Sequence, residues 1–270
     1  MKTSIIALGL LSTGVFFSAN SLASVNIDGL SPEEAGLAII TESDKRDTGF
    51  VSNSAGMKMT LINRKGKKSV RNLRSKTLEQ LDQGDKSLSI FDEPADVKGT
   101  AMLTHSHGLD PDDQWLYLPA LKRVKRISSK NKSGPFMGSE FAFEDLGSQE
   151  IEKYSYTLLG EEQLNGVDVY KIERIPQYKH SGYTKQIAWL DKEHLRSMKV
   201  EYYDRKKSLL KTLESSDFKQ FKGQYWRPHR MFMQNHQTQK ATELLFVDYV
   251  FEDPSVKAND FISNALKRIR

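Results

Sequence analysis

The chain has 270 residues, of which 38% are hydrophobic and 28% are charged. This balance is typical of a folded domain and excludes a chain that is disordered throughout. The formal net charge is +5, and the basic residues are spread among acidic ones, so we predict no nucleic-acid binding. Cysteine is absent, which excludes disulfide bonds, a cysteine nucleophile and a lipidated cysteine.

The first 23 residues have the pattern of a cleavable export signal. Lys2 precedes an apolar run from Ile5 to Phe17, and Ser21-Leu22-Ala23 places small residues at the positions that a signal peptidase reads. The run is too short to anchor a protein in a bilayer, which takes about 20 apolar residues. We therefore predict cleavage after Ala23 and a single periplasmic domain over residues 24–270, with an extracellular location as the alternative.

The first predicted element of that domain is an amphipathic helix from Ser31 to roughly Arg46. Ser31 is suited to cap the helix, Pro32 to occupy its first position and Glu34 to complete a capping box. Apolar residues then supply one side of the helix: Ala35, Leu37, Ala38, Ile39 and Ile40.

After the helix the sequence changes to short segments of alternating apolar and polar residues. Met57, Met59 and Leu61 alternate with polar residues, and a turn at residues 64–67 leads into the second strand of a hairpin, Ser69–Thr77. Similar segments follow at hairpin spacing: Lys86–Phe91, Gly99–His105, Gln114–Leu118, Leu121–Ile127, Tyr154–Leu164, Val167–Ile175, Lys185–Leu190, Ser197–Tyr203, Leu209–Phe221, Arg227–Gln237 and Thr242–Phe251.

These segments predict a mainly β (α+β) fold. Because no crossover helices separate them, we expect one strongly curved antiparallel sheet of about eleven strands. Asn165-Gly166 is a tight-turn signal. Between Ser128 and Lys153 the pattern is interrupted by a polar loop, an aromatic stretch at Phe136–Leu146 and a run at Gln149–Lys153 that we predict to be helical. We predict that this interruption forms a loop and a short lid helix over one face of the sheet.

A search for catalytic motifs yields little. The sequence has no Gly-x-Ser-x-Gly elbow, nucleotide-binding glycine loop or His-Glu-x-x-His pair. His105 and His107 would project from the same face of a strand, with Asp110, Asp112 and Asp113 nearby. A metal site needs three or four convergent ligands, and aspartates in a Gly-Pro turn more simply form and solvate that turn. We predict no enzyme activity, no metal and no cofactor, and keep a histidine-based metal hydrolase as the last-ranked alternative.

The basic run from Lys122 to Arg126 has two interpretations. It suits a docking face for acidic lipid or a partner protein. It equally suits an exposed sheet edge on which charge prevents aggregation.

Methionine and aromatic residues are the prominent apolar component, with 8 Met, 13 Phe, 10 Tyr and 3 Trp. Methionine suits a surface that accepts variable apolar shapes, although composition alone favours an ordinary core. A curved sheet covered by one helix and a short lid would leave an apolar groove. The residues predicted to line this groove are Leu37, Ile40, Met57, Met59, Leu61, Phe136, Met137, Phe141, Met198, Met231 and Met233.

Two stretches resemble a known family. They are Trp115–Ile127 (WLYLPALKRVKRI) and Gly134–Leu146 (GPFMGSEFAFEDL). Together they resemble the LolA-like outer-membrane lipoprotein-sorting protein family, in the branch found beside RND-type exporters. The resemblance extends from about Ser31 to the last predicted strand.

The resemblance implies an incomplete β-barrel whose concave side is closed by helices and shelters acyl chains in the periplasm. It implies that Ser31–Arg46 is the first covering helix and that Phe136–Lys153 belongs to the lid. The arginine that locks the lid of the classical carrier matches no single position here, so the cargo is left open between a lipoprotein and another lipid.

Two functions follow as hypotheses. The first is a soluble periplasmic carrier that binds the acyl chains of a lipoprotein or other lipid, contacts membranes transiently and exchanges cargo with an RND-type exporter or an outer-membrane acceptor. The second is an interaction or envelope-sensing module, accessory to such an exporter, that transports nothing.

Overall fold

A computed structural model describes residues 25–81 and 83–268. The predicted signal sequence lies outside the described residues. No helix in the described part of the chain is long and apolar enough to cross a membrane.

The predicted helix, α1, spans Pro32–Asp47 and has the expected capping box. The Ser31 hydroxyl accepts a hydrogen bond from the Glu34 amide at 3.2 Å, and the Glu34 carboxylate accepts one from the Ser31 amide at 2.8 Å. Gly36 is buried where α1 packs on the sheet, and a Cβ atom there would lie 2.9 Å from the backbone nitrogen of Leu158. The close approach of helix and sheet therefore depends on a glycine.

Thirteen strands form a single antiparallel sheet that is not closed into a barrel. The mainly β fold is thus confirmed. The predicted count of about eleven strands is too low, because each of the thirteen alternating segments in the sequence forms a strand. The strands are β1 Ser52–Ile62, β2 Lys68–Leu78, β3 Lys86–Glu93, β4 Ala101–His105, β5 Asp113–Leu118, β6 Arg123–Arg126, β7 Tyr154–Leu164, β8 Val167–Pro176, β9 Tyr183–Asp191, β10 Ser197–Asp204, β11 Leu209–Phe221, β12 Tyr225–Asn235 and β13 Ala241–Phe251.

The strand order explains where the chain crosses the sheet. The order is β6-β5-β4-β3-β2-β1-β13-β12-β11-β10-β9-β8-β7, so β1 pairs with β13 in the middle and β6 and β7 form the two edges. The connection from β6 to β7 must therefore travel from one edge of the sheet to the other. Residues 134–149 of this connection are called the strap below.

The predicted lid helix at Gln149–Lys153 is shorter than expected. Residues Ile151–Lys153 form a single 3₁₀ turn, and the strap itself holds two more, Phe136–Gly138 and Phe143–Leu146. Met137 (φ 50°) and Gly138 (φ 75°) adopt left-handed conformations, which end any helix at that point. The remaining segments are too short to repay the cost of helix nucleation.

The basic run occupies the edge strand β6 and the turn before it. Arg123, Lys125 and Arg126 are exposed, so their charge lies along the unpaired backbone of the sheet edge. This position agrees with the interpretation as charged edge protection.

Candidate functional site

The strap lies across the inner face of the sheet, defined as the face that α1 also covers. It is held by polar contacts from several strands of the sheet. Arg71 of β2 donates to the Met137 carbonyl at 2.5 Å, and the Glu140 amide donates to the Thr242 hydroxyl of β13 at 2.9 Å. The strap is therefore fixed in place along its length despite its lack of regular helix.

A buried ion pair forms the central contact of the strap. Lys211 of β11 lies 2.6 Å from the Asp145 carboxylate, and the two side chains are only 4% and 6% exposed. The Lys211 ammonium also donates to the Glu140 carbonyl at 2.9 Å, and the Tyr183 hydroxyl donates to Asp145 at 2.8 Å. Because both charges are desolvated, each depends on the other for compensation.

Beneath the first half of the strap the inner face is an apolar core. Phe136 and Phe141 of the strap are buried in one cluster with Met59 and Met233 of the sheet, and Phe136 packs on the ring of Phe91 at 5.8 Å between centroids. These four residues, predicted to line an open groove, are buried by one another. The ordinary-core interpretation therefore describes this half of the inner face.

Beside the strap a cavity of about 590 Å³ remains. Its apolar side includes two of the predicted residues, Met57 and Met231, together with Val200, Leu213 and Phe246. Met57 lies two residues before the buried Met59 and on the same face of β1. The cavity therefore begins where the core beneath the strap ends. The volume falls within the range of about 300–1,000 Å³ that is usual for ligand pockets.

The rest of the lining is largely polar. It contains the charged side chains of Arg46, Asp47, Asp85, Arg196 and Arg227 and a row of hydroxyl groups, called the hydroxyl wall, which the sequence interpretation missed. The hydroxyl wall consists of Ser75, Thr77, Ser87, Ser89 and Thr104. Strand register brings them together, because Ser75 is paired with Ser89 and Ser87 with both Thr77 and Thr104. The sequence feature that could have indicated this wall is the alternation of serine with apolar residues in β3.

The hydroxyl wall was missed because the two faces of β3 were not assigned correctly. Leu88 and Ile90 pack against Phe261 and Leu266 of the C-terminal 3₁₀ turns, in a second core on the outer face of the sheet. The apolar side of β3 therefore points outward, and its serines point into the cavity.

The other predicted groove residues lie elsewhere. Leu37 is 46% exposed in a shallow surface recess with Val25 and Leu30, because α1 turns Ala35 and Ile39 toward the sheet. Its predicted place in the groove is wrong. The remaining four are partly buried: Leu61 and Met137 pack on the core, Met198 lies at a bulge of β10 outside the cavity lining, and Ile40 lines a second chamber.

This second chamber, of about 420 Å³, adjoins the cavity and shares Ser43, Asp85 and Leu195 with its lining. It lies between the C-terminal half of α1, the β2–β3 connection and the end of the strap. Among the described residues, five carboxylates line it and are called the acidic rim: Asp44, Asp47, Glu79, Asp85 and Glu150.

The carboxylates of the acidic rim disfavour one another's ionisation. Burial raises the pKa of Asp85 to about 6, and the negative charges of Glu150, Glu79 and Asp47 add to the effect, against a hydrogen bond from the Gln80 amide. Burial and the same kind of repulsion raise the pKa of Asp44. The chamber thus holds negative charge that its own residues do not fully neutralise.

The substitution Asp85→Asn is expected to stabilise the protein at pH 7.5. Because the pKa of Asp85 is higher in the folded protein than in the unfolded chain, stability falls as pH rises between about 4 and 6 and stays reduced above this window. Asparagine removes the charge and keeps an oxygen for the Gln80 amide. We expect a gain on the order of 1 kcal/mol at pH 7.5, after allowance for solvent screening, and almost none at pH 4, measured by urea unfolding.

The exposed Asp96 provides the matched control. Asp96→Asn should leave the unfolding free energy unchanged at both pH values. A loss of stability in Asp85→Asn at pH 7.5 would mean that the ionised carboxylate is a structural requirement.

The two histidines proposed as metal ligands have protein partners. The His105 ring contacts the Phe261 carbonyl at 2.8 Å, and His107 lies 3.3 Å from Asp113. Burial lowers the pKa of His105. In the described part of the chain, no group of three or more His, Asp or Glu side chains is arranged to hold a metal ion.

Known proteins match this chain over most of its length. A family model described as an uncharacterized protein family matches residues 83–268. A domain from Vibrio parahaemolyticus, described as a candidate outer-membrane lipoprotein-sorting protein, is 57% identical, with a TM-score of 0.85 over 87% of this chain and 100% of its own. A DUF1329 family protein from Desulfovibrio piger is 32% identical, with a TM-score of 0.83 over 87% of this chain and 99% of its own. The chain belongs to this LolA-like, outer-membrane lipoprotein-sorting family.

A more distant structure shares the fold. A LolA superfamily protein from Nitrosomonas europaea is 21% identical, with a TM-score of 0.66 over 84% of this chain and 97% of its own. At this identity the likeness concerns the fold alone. No curated protein matches the chain. The family resemblance found in the sequence is confirmed. The association with RND-type exporters stays a prediction.

Proposed function

We propose that this LolA-like protein is a periplasmic carrier that shelters the acyl chains of a lipid or lipoprotein while they pass between membranes. The observation that carries the proposal is the cavity of about 590 Å³ beside the strap, with methionine and aromatic residues on one side. The export pattern of residues 1–23 supports the compartment. An RND-type exporter or an outer-membrane acceptor would exchange cargo with it.

The energetics of burial favour this role. Each CH₂ group removed from water contributes about 0.8 kcal/mol, so a chain of ordinary length supplies on the order of 10 kcal/mol before ordering costs. The hydroxyl wall lowers the apolar fraction of the cavity, which makes the total binding weaker than in a wholly apolar pocket. A carrier must release its cargo, so a mixed lining suits transfer better than permanent binding.

The direct test fills the cavity from the hydroxyl wall. Ser89→Trp places an indole in the cavity, whereas a tryptophan at the buried Met59 would overpack the core under the strap. We expect the purified variant to lose most of the lipid that organic extraction and mass spectrometry recover from the unsubstituted protein. It should also lose transfer of a fluorescent phospholipid between vesicles.

The exposed Ser69 of β2 supplies the control. Ser69→Trp adds the same side chain outside the cavity and should keep both bound lipid and transfer. If the unsubstituted protein neither retains nor transfers lipid, the carrier proposal fails. An interaction or sensing role, the alternative from the sequence, would then be the better account.

A further inference from the structure

One buried cation faces the acidic rim and lacks the partners that its burial requires. Arg174 of β8 is 5% exposed and lines the second chamber. One terminal nitrogen donates to the Gln149 side chain. Its Nε and its other terminal nitrogen have no hydrogen-bond partner among the residues that the structure describes. Leaving buried donors of a charged group unpaired costs free energy, which a ligand that pairs them would recover.

No acceptor among the described residues lies within hydrogen-bond distance of these two nitrogens, although the Gln186 side-chain oxygen is also buried without a partner. Arg174 belongs to a polar row across the inner face, in which Tyr156 and Gln186 are its partners on the adjacent strands. The Tyr154 ring lies under the guanidinium at 5.9 Å, which is a weak contact and accepts no hydrogen bond from Nε. Within the described chain, Arg174 is the one cation lining this chamber. An anionic oxygen pair from a ligand would match the two free donors, since guanidinium binds phosphate and carboxylate in a bidentate manner.

The carboxylates of the acidic rim call for a cation, whereas Arg174 calls for an anion. Asp47 pairs with Arg227, and Glu79 accepts from the amides of Gly49 and Val51. By contrast, Asp85 and Glu150 form no ion pair in the described part of the chain. A cation in the chamber would therefore relieve repulsion that no ion pair of Asp85 or Glu150 relieves among the described residues. The chamber thus presents an unpaired cation and unpaired anions to the same enclosed space.

We propose that the second chamber binds a zwitterionic lipid headgroup. Arg174 takes the phosphate, the carboxylates of the acidic rim take a primary ammonium, and the acyl chains extend into the adjoining cavity. This proposal rests on the carrier function and adds the class of lipid. A phosphoethanolamine headgroup fits, because its ammonium donates three hydrogen bonds to carboxylates, whereas a quaternary choline group donates none and a glycerol headgroup brings no positive charge.

Competition between lipids tests the selection. Lipid-free protein is incubated with vesicles that hold equal amounts of phosphatidylethanolamine, phosphatidylglycerol and phosphatidylcholine with identical acyl chains. The protein is then re-isolated, and its bound lipid is measured by mass spectrometry. We expect phosphatidylethanolamine to exceed each competitor by about tenfold, as charged hydrogen bonds of this kind imply.

Two variants distinguish recognition of the headgroup from binding of the acyl chains. Arg174→Gln should abolish the selection, with total bound lipid largely retained because the cavity is unchanged. Asp85→Asn should weaken the preference over phosphatidylglycerol. Lys171→Gln removes a cation from the outer face of the same strand, where it pairs with Glu162, and should leave the selection intact.

Stability of the lipid-free protein distinguishes binding from a structural role. A structural arginine would destabilise the fold when removed. Unpaired donors predict the opposite, so Arg174→Met should raise the melting temperature of the lipid-free protein by a few degrees. Lipid bound in the same proportions as in the vesicles would overturn the headgroup proposal and leave the carrier function standing. Failure to bind any lipid would overturn both.

Discussion

Replacement of Lys211 by methionine is expected to lower the free energy of unfolding by about 3–5 kcal/mol, the usual cost of leaving one member of a buried ion pair without its partner. Asp145 lies 2.6 Å from Lys211 and is 6% exposed, so its carboxylate cannot recover the interaction from solvent. The strap also loses the contact from Lys211 to the Glu140 carbonyl. Equilibrium unfolding in guanidinium chloride measures the loss.

A second substitution tests the cause of this effect. Asp145→Asn in the Lys211→Met background removes the stranded charge and keeps an oxygen to accept from Tyr183 or from the Ala142 amide. It should restore most of the lost stability. Lys192→Met breaks the exposed pair with Glu161 and should cost less than about 1 kcal/mol. Equal losses in Lys211→Met and Lys192→Met would refute the argument from burial.

Local signals in the sequence predicted the elements well because each acts over a few residues. Ser31, Pro32 and Glu34 specify the start of α1 through contacts within one turn. Asn165 and Gly166 both adopt the positive φ angles that a tight hairpin turn needs. The alternation in β1 and β2 gave their hairpin. Strands joined by such short turns can pair only as neighbours, so the meandering sheet followed as well.

The candidate site could not be predicted in the same way, because it depends on which face of each strand meets which cover. Alternation in β3 separates Leu88 and Ile90 from Ser87 and Ser89, but it does not say which set points inward. The C-terminal residues Phe261 and Leu266 decide this by covering the outer face. Their contribution is not visible in β3 itself, and the hydroxyl wall was therefore missed.

Arg174 was missed for a related reason. An arginine between Glu173 and Ile175 has the sequence context of an exposed strand residue. Its burial arises from α1 and the strap, which cover the inner face at the end of β8. Charged residues are rarely buried without a partner. The burial of Arg174 with two unpaired donors is therefore visible only in the folded structure.

The methionine content of the sequence left two interpretations open, an ordinary core and an apolar groove. The inner face of the sheet contains both. The strap fills one half with its own aromatic side chains, which is a core. The other half keeps a cavity reached by Met57 and Met231, which is the expected groove in reduced form. The strap thus sets the volume available to a ligand, and displacement of the strap would expose the remaining apolar surface. The aromatic side chains that anchor the strap therefore have a role that can be measured by substitution.

Phe136→Ala is expected to cost about 3–5 kcal/mol, as for other large-to-alanine changes in a packed core. Phe136 is 2% exposed and contacts the rings of Phe91 and Phe143, each at 5.8 Å between centroids. The vacated space would adjoin Met59 under the strap. Guanidinium unfolding measures the loss, and Phe232→Ala, at a partly exposed position of β12, should cost markedly less.

Hydrogen exchange shows where the loss of Phe136 acts. The amide of Phe143 donates to the Gly134 carbonyl at 3.1 Å and that of Glu144 to the Lys132 carbonyl at 2.9 Å, and neither bond belongs to the sheet ladder. If Phe136 anchors the strap, these amides should exchange faster in Phe136→Ala while amides of the central strands β1 and β13 keep their protection. Uniform acceleration throughout the sheet would instead mean that strap and sheet unfold as one unit, and that the strap does not open separately to admit a ligand.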